Sequence, residues 1–219
     1  SITPVSARPA DPENGDIIYN ATNLQFEKYE NGKWRSLNND INNLIDQDVD
    51  GISIFTPYAD AADTRPVDGT GGSPTVTTSL SSSTPLIGAK SFLLTKPASN
   101  TQGQGWSITS TNLDLAYRAK SLKVSIDYIV NSGTFVAGSN STESDVILYF
   151  YDITNAKLVE PSNIKFFSNS STISDKIEAT VQFDYNCTAF RTILHCQSTS
   201  ASAYELKLDN VTVSQQSSV

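Results

Sequence analysis

A clear alternation with a period of two places apolar side chains at every second position of two long segments of this sequence, residues 121–131 and 176–185. Successive side chains of a β-strand point to opposite faces, so a period of two predicts strands that bury one face. The apolar positions are Leu122, Val124, Ile126, Tyr128 and Val130 in the first segment and Ile177, Ala179, Val181 and Phe183 in the second. No convincing helical pattern lies between the strand-like segments, which favours antiparallel pairing over helix-connected parallel strands.

Shorter strand-like segments follow one another closely through the rest of the chain. They cover residues 51–56, 91–96, 106–110, 145–153, 163–167, 189–197 and 204–213. Many short strands separated by turn residues are typical of an antiparallel β-sandwich, and we predict a jelly roll. Residues 57–88 break the series, and their richness in Thr, Ser, Gly, Asp and Pro predicts one long irregular loop. The predicted fold class is all-β.

The first 36 residues predict a separate small β module. Asn14-Gly15 and Asn31-Gly32 are turn signals because both residue types tolerate positive φ. The expected product is a β-meander whose core side chains are Ile17, Tyr19, Leu24, Phe26, Tyr29 and Trp34. A sheet of this size is marginal alone, so we expect it to lean on another chain or on a neighbouring domain.

Residues 37–50 form a bridge between this module and the sandwich, which we place at residues 51–219. Four apolar side chains in the bridge fall at helical spacing, namely Leu37, Ile41, Leu44 and Ile45. This stripe is compatible with a short helix that gathers several copies of the chain. Four asparagines and four aspartates disfavour an isolated helix, and a solvent-facing turn is the alternative.

Charge and cysteine content exclude several classes of protein. The net charge is −8 and the 15 basic residues are scattered, so we predict no nucleic-acid partner. No apolar run approaches the roughly 20 residues that span a bilayer, so we predict no membrane insertion. Cys187 and Cys196 are separated by a strand-like segment that spans roughly 30 Å, which predicts two thiols rather than a disulfide.

The sequence contains no recognisable catalytic pattern. His195 is the only histidine, and no Gly-x-Ser-x-Gly motif accompanies it, so we expect a surface or groove histidine rather than a catalytic base. A glycosidase needs only two carboxylates, and several are available without a pattern that pairs them: Asp127, Asp145, Asp152 and Asp184. We predict a protein that is not an enzyme.

One break in alternation predicts a β-bulge near the end of the chain. Leu206 and Leu208 occupy even positions, whereas Val211 and Val213 occupy odd ones. A continuous strand cannot bury both pairs on one face, so an extra residue is expected at 209–210. Such a bulge would turn Asp209 away from the sheet.

Two stretches of the chain carry resemblances to known families. Residues 11–34 (DPENGDIIYNATNLQFEKYENGKW) resemble the short β module that recurs in bacteriophage tail-fibre and other virion structural proteins. The remainder resembles the jelly-roll domain of phage structural proteins, which is similar to the carbohydrate-binding modules of bacterial glycoside hydrolases. The matching stretches are Pro85–Lys96, Gly103–Trp106, Ser121–Gly138, Asp145–Asn155, Arg191–His195 and Glu205–Val213.

These resemblances imply a structural component of a phage virion. The protein would be a tail or head fibre or appendage, made in the host bacterial cytoplasm and projecting from the particle surface. It would form a homotrimer, contact other virion structural proteins and either hold a structural joint or adhere to bacterial surface polysaccharide. The alternatives are a capsid decoration protein without a ligand and a carbohydrate-binding module of a secreted bacterial glycoside hydrolase.

Carbohydrate sites stack aromatic rings on sugar rings, and the candidates for such contacts here are Trp106, Tyr149 and Tyr151. Tyr149 and Tyr151 share one strand face, opposite the apolar positions of the same strand. If those apolar positions face the core, the two tyrosines point outward or into a groove of the sandwich. The alternative is that both tyrosines pack under a loop or against a neighbouring subunit.

The resemblance to carbohydrate-binding modules also implies a metal ligand. In those modules an aspartate in the last strand often binds a structural calcium ion, and the stretch from Leu208 to Val211 (LDNV) matches the pattern. Asp209 is therefore the candidate ligand. The alternative is an aspartate that caps the bulge through hydrogen bonds to the backbone.

Overall fold

The protein folds almost entirely into β-strands. The computed structural model describes residues 4–21, 25–30, 32–36, 55–60, 64–113, 115, 118–136, 145–161 and 175–215. Fourteen strands and no α-helix occur within those ranges, which confirms the predicted all-β class. No helix in these ranges is long and apolar enough to cross a membrane.

The strands follow one another along the whole described chain. They are β1 (Pro4–Val5), β2 (Ile17–Asn20), β3 (Gln25–Glu30), β4 (Lys33–Ser36), β5 (Phe55–Ala59), β6 (Thr77–Ser81), β7 (Ser91–Lys96), β8 (Gln104–Asn112), β9 (Ser121–Gly133), β10 (Val146–Asp152), β11 (Lys157–Val159), β12 (Asp175–Gln182), β13 (Ala189–Cys196) and β14 (Tyr204–Gln215).

The first four strands form a separate sheet in the order β1-β2-β3-β4. The antiparallel meander β2-β3-β4 confirms the predicted module, while the parallel pairing of β1 with β2 was not predicted. The predicted core was wrong for Ile17 and Phe26, which are 44% and 40% exposed. The buried face instead carries Ile18 and Glu27, because Arg8 bonds the Glu27 carboxylate from the lead-in segment.

The other ten strands form the sandwich of two five-stranded antiparallel sheets that the jelly-roll prediction requires. Sheet 1 has the order β11-β10-β13-β8-β5, and sheet 2 has the order β12-β9-β14-β7-β6. Apolar side chains from both sheets are buried in one core between them. Every alternating position predicted on β9 and β12 belongs to that core, as does Phe183 just after β12.

Three short edge strands differ from the sequence prediction. The stretch 57–88 is not wholly irregular, because β5 reaches Ala59 and β6 lies at Thr77–Ser81. Both are edge strands, where Pro57 and polar side chains are tolerated, so neither shows the apolar pattern of a central strand. The edge strand β11 was not predicted at all. The predicted strand at 163–167 and the bridge at 37–50 lie outside the described residues, and the predicted domain boundaries remain predictions.

The predicted bulge in the last strand is confirmed. The pairing of β14 with β9 shifts register between Asp209 and Thr212, and Asn210 adopts a positive φ of 46°. The extra residue lets both pairs of apolar side chains face inward. Leu206, Leu208, Val211 and Val213 are all buried in the core.

Candidate functional site

Two of the aromatic side chains predicted as candidate sugar contacts, Tyr149 and Tyr151, belong to β10 of sheet 1. Val146, Leu148 and Phe150 of β10 lie in the core, as predicted. The intervening positions therefore project from the other side of the sheet, so Tyr149 and Tyr151 share its outer face.

Residues 64–72 lie across part of this outer face, and we call them the cover. The Ser107 hydroxyl donates a hydrogen bond to the Gly69 carbonyl at 2.8 Å, and the Tyr149 hydroxyl approaches the Thr64 carbonyl at 3.4 Å. A Cβ added to Gly69 would meet the Ile193 Cδ1 atom at 2.7 Å. The cover is therefore packed directly on the sheet.

The cover is held in shape by the Asp60 side chain, which precedes it in the chain, and by glycine. The Asp60 carboxylate accepts hydrogen bonds from the Val67 and Gly69 amides at 2.8 and 3.2 Å. Gly72 has a φ of +71°, and a Cβ there would lie 1.8 Å from the Ala59 carbonyl oxygen. Only glycine fits such an approach. The segment predicted as irregular is thus an ordered loop packed on sheet 1.

Beneath the cover lies a second apolar cluster with polar groups at its end. The cluster contains Tyr58, Ile147, Tyr149 and Ile193, with Tyr151 and Leu158 packed against it. The Tyr58 hydroxyl lies 2.6 Å from Nδ1 of His195, and the Tyr149 hydroxyl donates to Oε1 of Gln197 at 2.9 Å. His195 is fully buried, so the expectation of a surface or groove histidine was wrong.

Burial governs the charge state of the covered tyrosines. It raises the pKa of Tyr58 well above the ordinary value, and the charge of Asp60 raises that pKa further. Burial also raises the pKa of Tyr149, with the nearby Glu160 carboxylate as the next contribution. Both hydroxyls are therefore neutral groups at physiological pH, and they serve the packing of this face.

Trp106 is not available to a ligand. Its side chain is fully buried in the core between the sheets, and its indole N–H donates to the Thr77 carbonyl at 2.8 Å. The proposed sugar contact at this residue is therefore not supported by its position. Ile108 stands two positions further along β8 and is also in the core. Side chains two positions apart on a strand point to the same face, so the apolar Ile108 is the sequence signal that assigns Trp106 to the inner face.

Of the three predicted aromatic contacts, Tyr151 alone is partly exposed, since Tyr149 is 2% exposed and Trp106 is fully buried. The Arg191 guanidinium lies over its ring, with Cζ 5.6 Å from the ring centroid. Arg191 pairs with Tyr151 across β13 and β10, and Leu158 pairs with it from β11. Arg191 opens the matching stretch Arg191–His195, but the sequence did not mark it as a binding residue.

A row of accessible side chains crosses sheet 1 at the end that the cover leaves open. One residue comes from each of the five strands, and we call them the open row: Leu158, Tyr151, Arg191, Thr109 and Thr56. The hydroxyls of Thr56 and Thr109 lie 3.2 Å apart. With strands spaced at about 4.8 Å, the row extends over roughly 19 Å. It combines one aromatic ring, one cation and two hydroxyl groups.

The four acidic residues considered for glycoside hydrolysis each hold local structure. Asp145 accepts hydrogen bonds from the Ser198 hydroxyl and the Val136 amide, and Asp152 accepts from the amide and side chain of Asn155. The remaining two bind cations or amides on neighbouring strands and turns: Asp184 pairs with Lys157, and Asp127 with Lys176 and Asn210.

The two cysteines are free thiols in this structure, as predicted, and both are buried. Burial raises the pKa of Cys187 to about 12 and that of Cys196 to about 12. A thiol with so high a pKa is protonated at neutral pH. Since the thiolate is the nucleophilic form, neither cysteine is suited to nucleophilic catalysis.

The surroundings of Asp209 do not fit a calcium ion. Its carboxylate accepts hydrogen bonds from the Asn210 amide at 2.8 Å, the Ile87 amide at 3.1 Å and the Ser91 hydroxyl at 2.9 Å. Calcium needs six or more oxygen ligands, whereas two of these three neighbours present N–H groups. No group of three or more His, Cys, Asp or Glu residues in the described ranges is arranged to hold a metal. The geometry matches the capping alternative.

This geometry predicts a melting temperature that does not depend on calcium. We expect the same value, within about 1 °C, in millimolar calcium chloride and in excess EDTA, because a ligand that does not bind the folded state cannot stabilise it. Differential scanning calorimetry measures this directly. A melting temperature several degrees higher with calcium, lost in Asp209→Asn, would contradict the capping role.

No protein-family model matches this sequence, and no curated protein matches it. Solved structures of other proteins are similar to this chain in fold. An arabinose-bound GH51 α-L-arabinofuranosidase (MgGH51) matches with a TM-score of 0.51 at 8% identity, covering 74% of this chain and 23% of that chain. The CBM22-1 xylan-binding domain from Paenibacillus barcinonensis matches with a TM-score of 0.46 at 10% identity, covering 66% of this chain and 84% of that chain. The enzymatically active domain of bacteriophage CBA120 tailspike protein 4 matches with a TM-score of 0.47 at 11% identity. The match covers 75% of this chain and 20% of that chain.

These similarities concern the architecture of the sandwich. Of the three, only the arabinofuranosidase match exceeds a TM-score of 0.5, and this chain spans about a quarter of that enzyme. An identity of 8% carries no residue-level correspondence of sites. The comparisons therefore show that this chain has a β-sandwich fold that also occurs as one part of a larger sugar-processing enzyme.

Proposed function

We propose that this protein is a non-catalytic component of a bacteriophage particle, a tail or head fibre or appendage that adheres to bacterial surface polysaccharide through the open row. The observation that carries the adhesion is the open row itself, with the partly exposed ring of Tyr151 near its centre. The resemblance of residues 11–34 to the β module of tail-fibre proteins supports the virion setting.

The chemistry of the open row suits a sugar chain lying across the strands. A tyrosine ring offers an apolar surface on which a pyranose can stack, while hydroxyl and guanidinium groups donate hydrogen bonds to sugar oxygens. The row lies on the surface of a sheet and presents only five side chains. A site of this size binds weakly, and several copies on one particle would compensate through avidity.

Replacing the tyrosine of the open row tests the adhesion. We expect Tyr151→Ala to weaken binding to bacterial surface polysaccharide roughly tenfold, because the stacking surface is lost. Affinity electrophoresis against extracted capsular and lipopolysaccharide fractions measures this. Tyr185→Ala is the matched control, since Tyr185 is 67% exposed and lies in the turn between β12 and β13.

The two variants separate the possible outcomes. Equal losses in Tyr151→Ala and Tyr185→Ala would place the contact outside the open row. Retained binding in Tyr151→Ala, with an unchanged melting temperature, would remove the stacking role. An absence of binding to every fraction by wild-type protein would contradict the adhesion and favour a structural role alone.

The particle location and the homotrimer are further parts of this proposal. A fibre or appendage with weak single sites gains affinity when three copies act together. Antibody labelling of intact phage particles tests the location, and light scattering of purified protein tests the assembly. A stable trimer would support the proposal and count against a hydrolase module, whereas a monomer would count against the fibre.

A capsid decoration protein without a ligand is the second candidate, and one observation favours it. The cover seals Tyr58, Tyr149 and His195, which are the other aromatic side chains on the outer face of sheet 1 among the described residues. A face closed by its own chain needs no ligand. The polysaccharide measurements above discriminate between the two candidates.

A further inference from the structure

Arg191 is held in place by neutral groups. Its Nε donates to the Thr109 carbonyl at 3.2 Å, and its Nη1 donates to the Asp68 carbonyl at 2.5 Å. Its guanidinium lies over Tyr151. Within the described part of the chain, no carboxylate bonds this guanidinium. Backbone carbonyls and an aromatic ring orient the cation without supplying a counter-charge.

Three carboxylates that lie in the cover or bond it have partners other than Arg191. Asp68 accepts hydrogen bonds from the amide and the hydroxyl of Thr70 at 2.9 and 2.7 Å. Glu160 pairs with Arg65 at 2.8 Å. Asp60 is occupied by amides of the cover, as described above. None of these three carboxylates bonds the Arg191 guanidinium, whose hydrogen bonds within the described residues go to two backbone carbonyls.

The net charge of −8 does not cancel this local positive charge. At physiological ionic strength, exposed charges separated by more than about 8 Å are largely screened. The sign of the charge in contact with a bound chain therefore matters more than the sum over the protein. Arginine is also the side chain whose planar geometry matches a carboxylate with two parallel hydrogen bonds.

We propose that the open row selects polysaccharides that carry carboxylate groups, such as chains containing uronic acids. In this arrangement the Arg191 guanidinium pairs with the sugar carboxylate while the Tyr151 ring contacts the adjoining pyranose. The inference rests on the proposed function, because it names the class of polysaccharide that the same surface binds.

Pairs of polysaccharides that differ only in charge test this selectivity. Polygalacturonate, alginate and hyaluronate are each compared with their methyl-esterified, uncharged forms by isothermal titration calorimetry. We expect wild-type protein to bind at least one acidic chain about tenfold more tightly than its ester, which corresponds to one charge-assisted contact. The difference should shrink as salt is raised.

Variants of Arg191 assign the selectivity to this side chain. Arg191→Gln should abolish the tenfold preference for the acidic chain over its ester, and Arg191→Lys should restore part of that preference. Arg118→Gln is the matched control, because Arg118 also donates from Nε to a backbone carbonyl, that of Leu113 at 3.2 Å. A melting temperature close to that of the wild-type protein would show that Arg191→Gln folds without the hydrogen bond to the Asp68 carbonyl.

The outcomes separate this inference from the proposed function. Binding to neutral chains that depends on Tyr151 but is indifferent to charge and to Arg191 would overturn the selectivity and leave the adhesion standing. A preference for acidic chains that persists in Arg191→Gln would overturn the assignment to this residue. Failure of both acidic and neutral chains, together with the extracted bacterial fractions, would overturn both proposals.

Discussion

Replacing Lys96 by methionine is expected to lower the free energy of unfolding by about 3–5 kcal/mol. The Lys96 side chain is 1% exposed, and its ammonium donates to the carbonyls of Ser99, Ser200 and Ser202 at 2.9, 2.8 and 2.7 Å. It also lies 5.6 Å from the ring centroid of Tyr204. Methionine fills a similar volume but leaves the three carbonyls without their shared donor.

An exposed lysine provides the control for this effect. Lys123 has a side chain that is 44% exposed and pairs with Glu178 at 2.8 Å on the surface of sheet 2. Lys123→Met should cost less than about 1 kcal/mol, since exposed ion pairs contribute little. Urea denaturation followed by circular dichroism gives both values. Equal, small losses in the two variants would mean that water satisfies the carbonyls around Lys96.

Trp106→Ala is expected to destabilise the protein by about 3–5 kcal/mol, the range for removing a fully buried large aromatic side chain. The indole fills the core between the sheets, and its N–H satisfies the Thr77 carbonyl of edge strand β6. Chemical denaturation measures the loss. Trp106→Phe should cost less, because the ring volume is partly kept while the hydrogen bond is lost.

Trp106→Phe also distinguishes packing from ligand contact. If the folded variant binds polysaccharide as well as wild-type protein does, the tryptophan acts through the core alone. A Trp106→Phe variant that keeps the wild-type stability but loses polysaccharide binding would show that Trp106 contacts the ligand. Tyr151→Ala should show the opposite behaviour, with lost binding and little change in stability, because its ring is only half-buried.

Much of the sandwich could be predicted because its longer strands obey a simple rule. The alternating positions of β9 and β12 lie in the core, and the change of parity between Leu208 and Val211 locates the bulge. Each follows from the two-residue period of a strand with one buried face. The edge strands β6 and β11 escaped prediction because backbone hydrogen bonds to a neighbour, rather than an apolar pattern, define them.

The candidate site was only partly predictable. Parity placed Tyr149 and Tyr151 on the outer face, but their exposure depends on the cover, whose polar sequence gives no sign of where it packs. The neutral partners that hold Arg191 likewise come from residues far apart in the chain, Thr109 and Asp68. In the N-terminal sheet, the alternation of side chains defines two faces but does not show which one is buried. The ion pair between Arg8 and Glu27 lies on the face that carries Ile18, and that face is the buried one.

We infer that the partly covered β-sandwich binds polysaccharide at the open row. A nuclear magnetic resonance titration locates the bound chain on the protein surface. Methyl and amide signals are followed while an acidic oligosaccharide is added to labelled protein. We predict chemical-shift changes confined to the open row and its immediate neighbours, with the signals of Tyr58 and His195 unchanged. Changes centred on the residues beneath the cover, or on sheet 2, would contradict the claim.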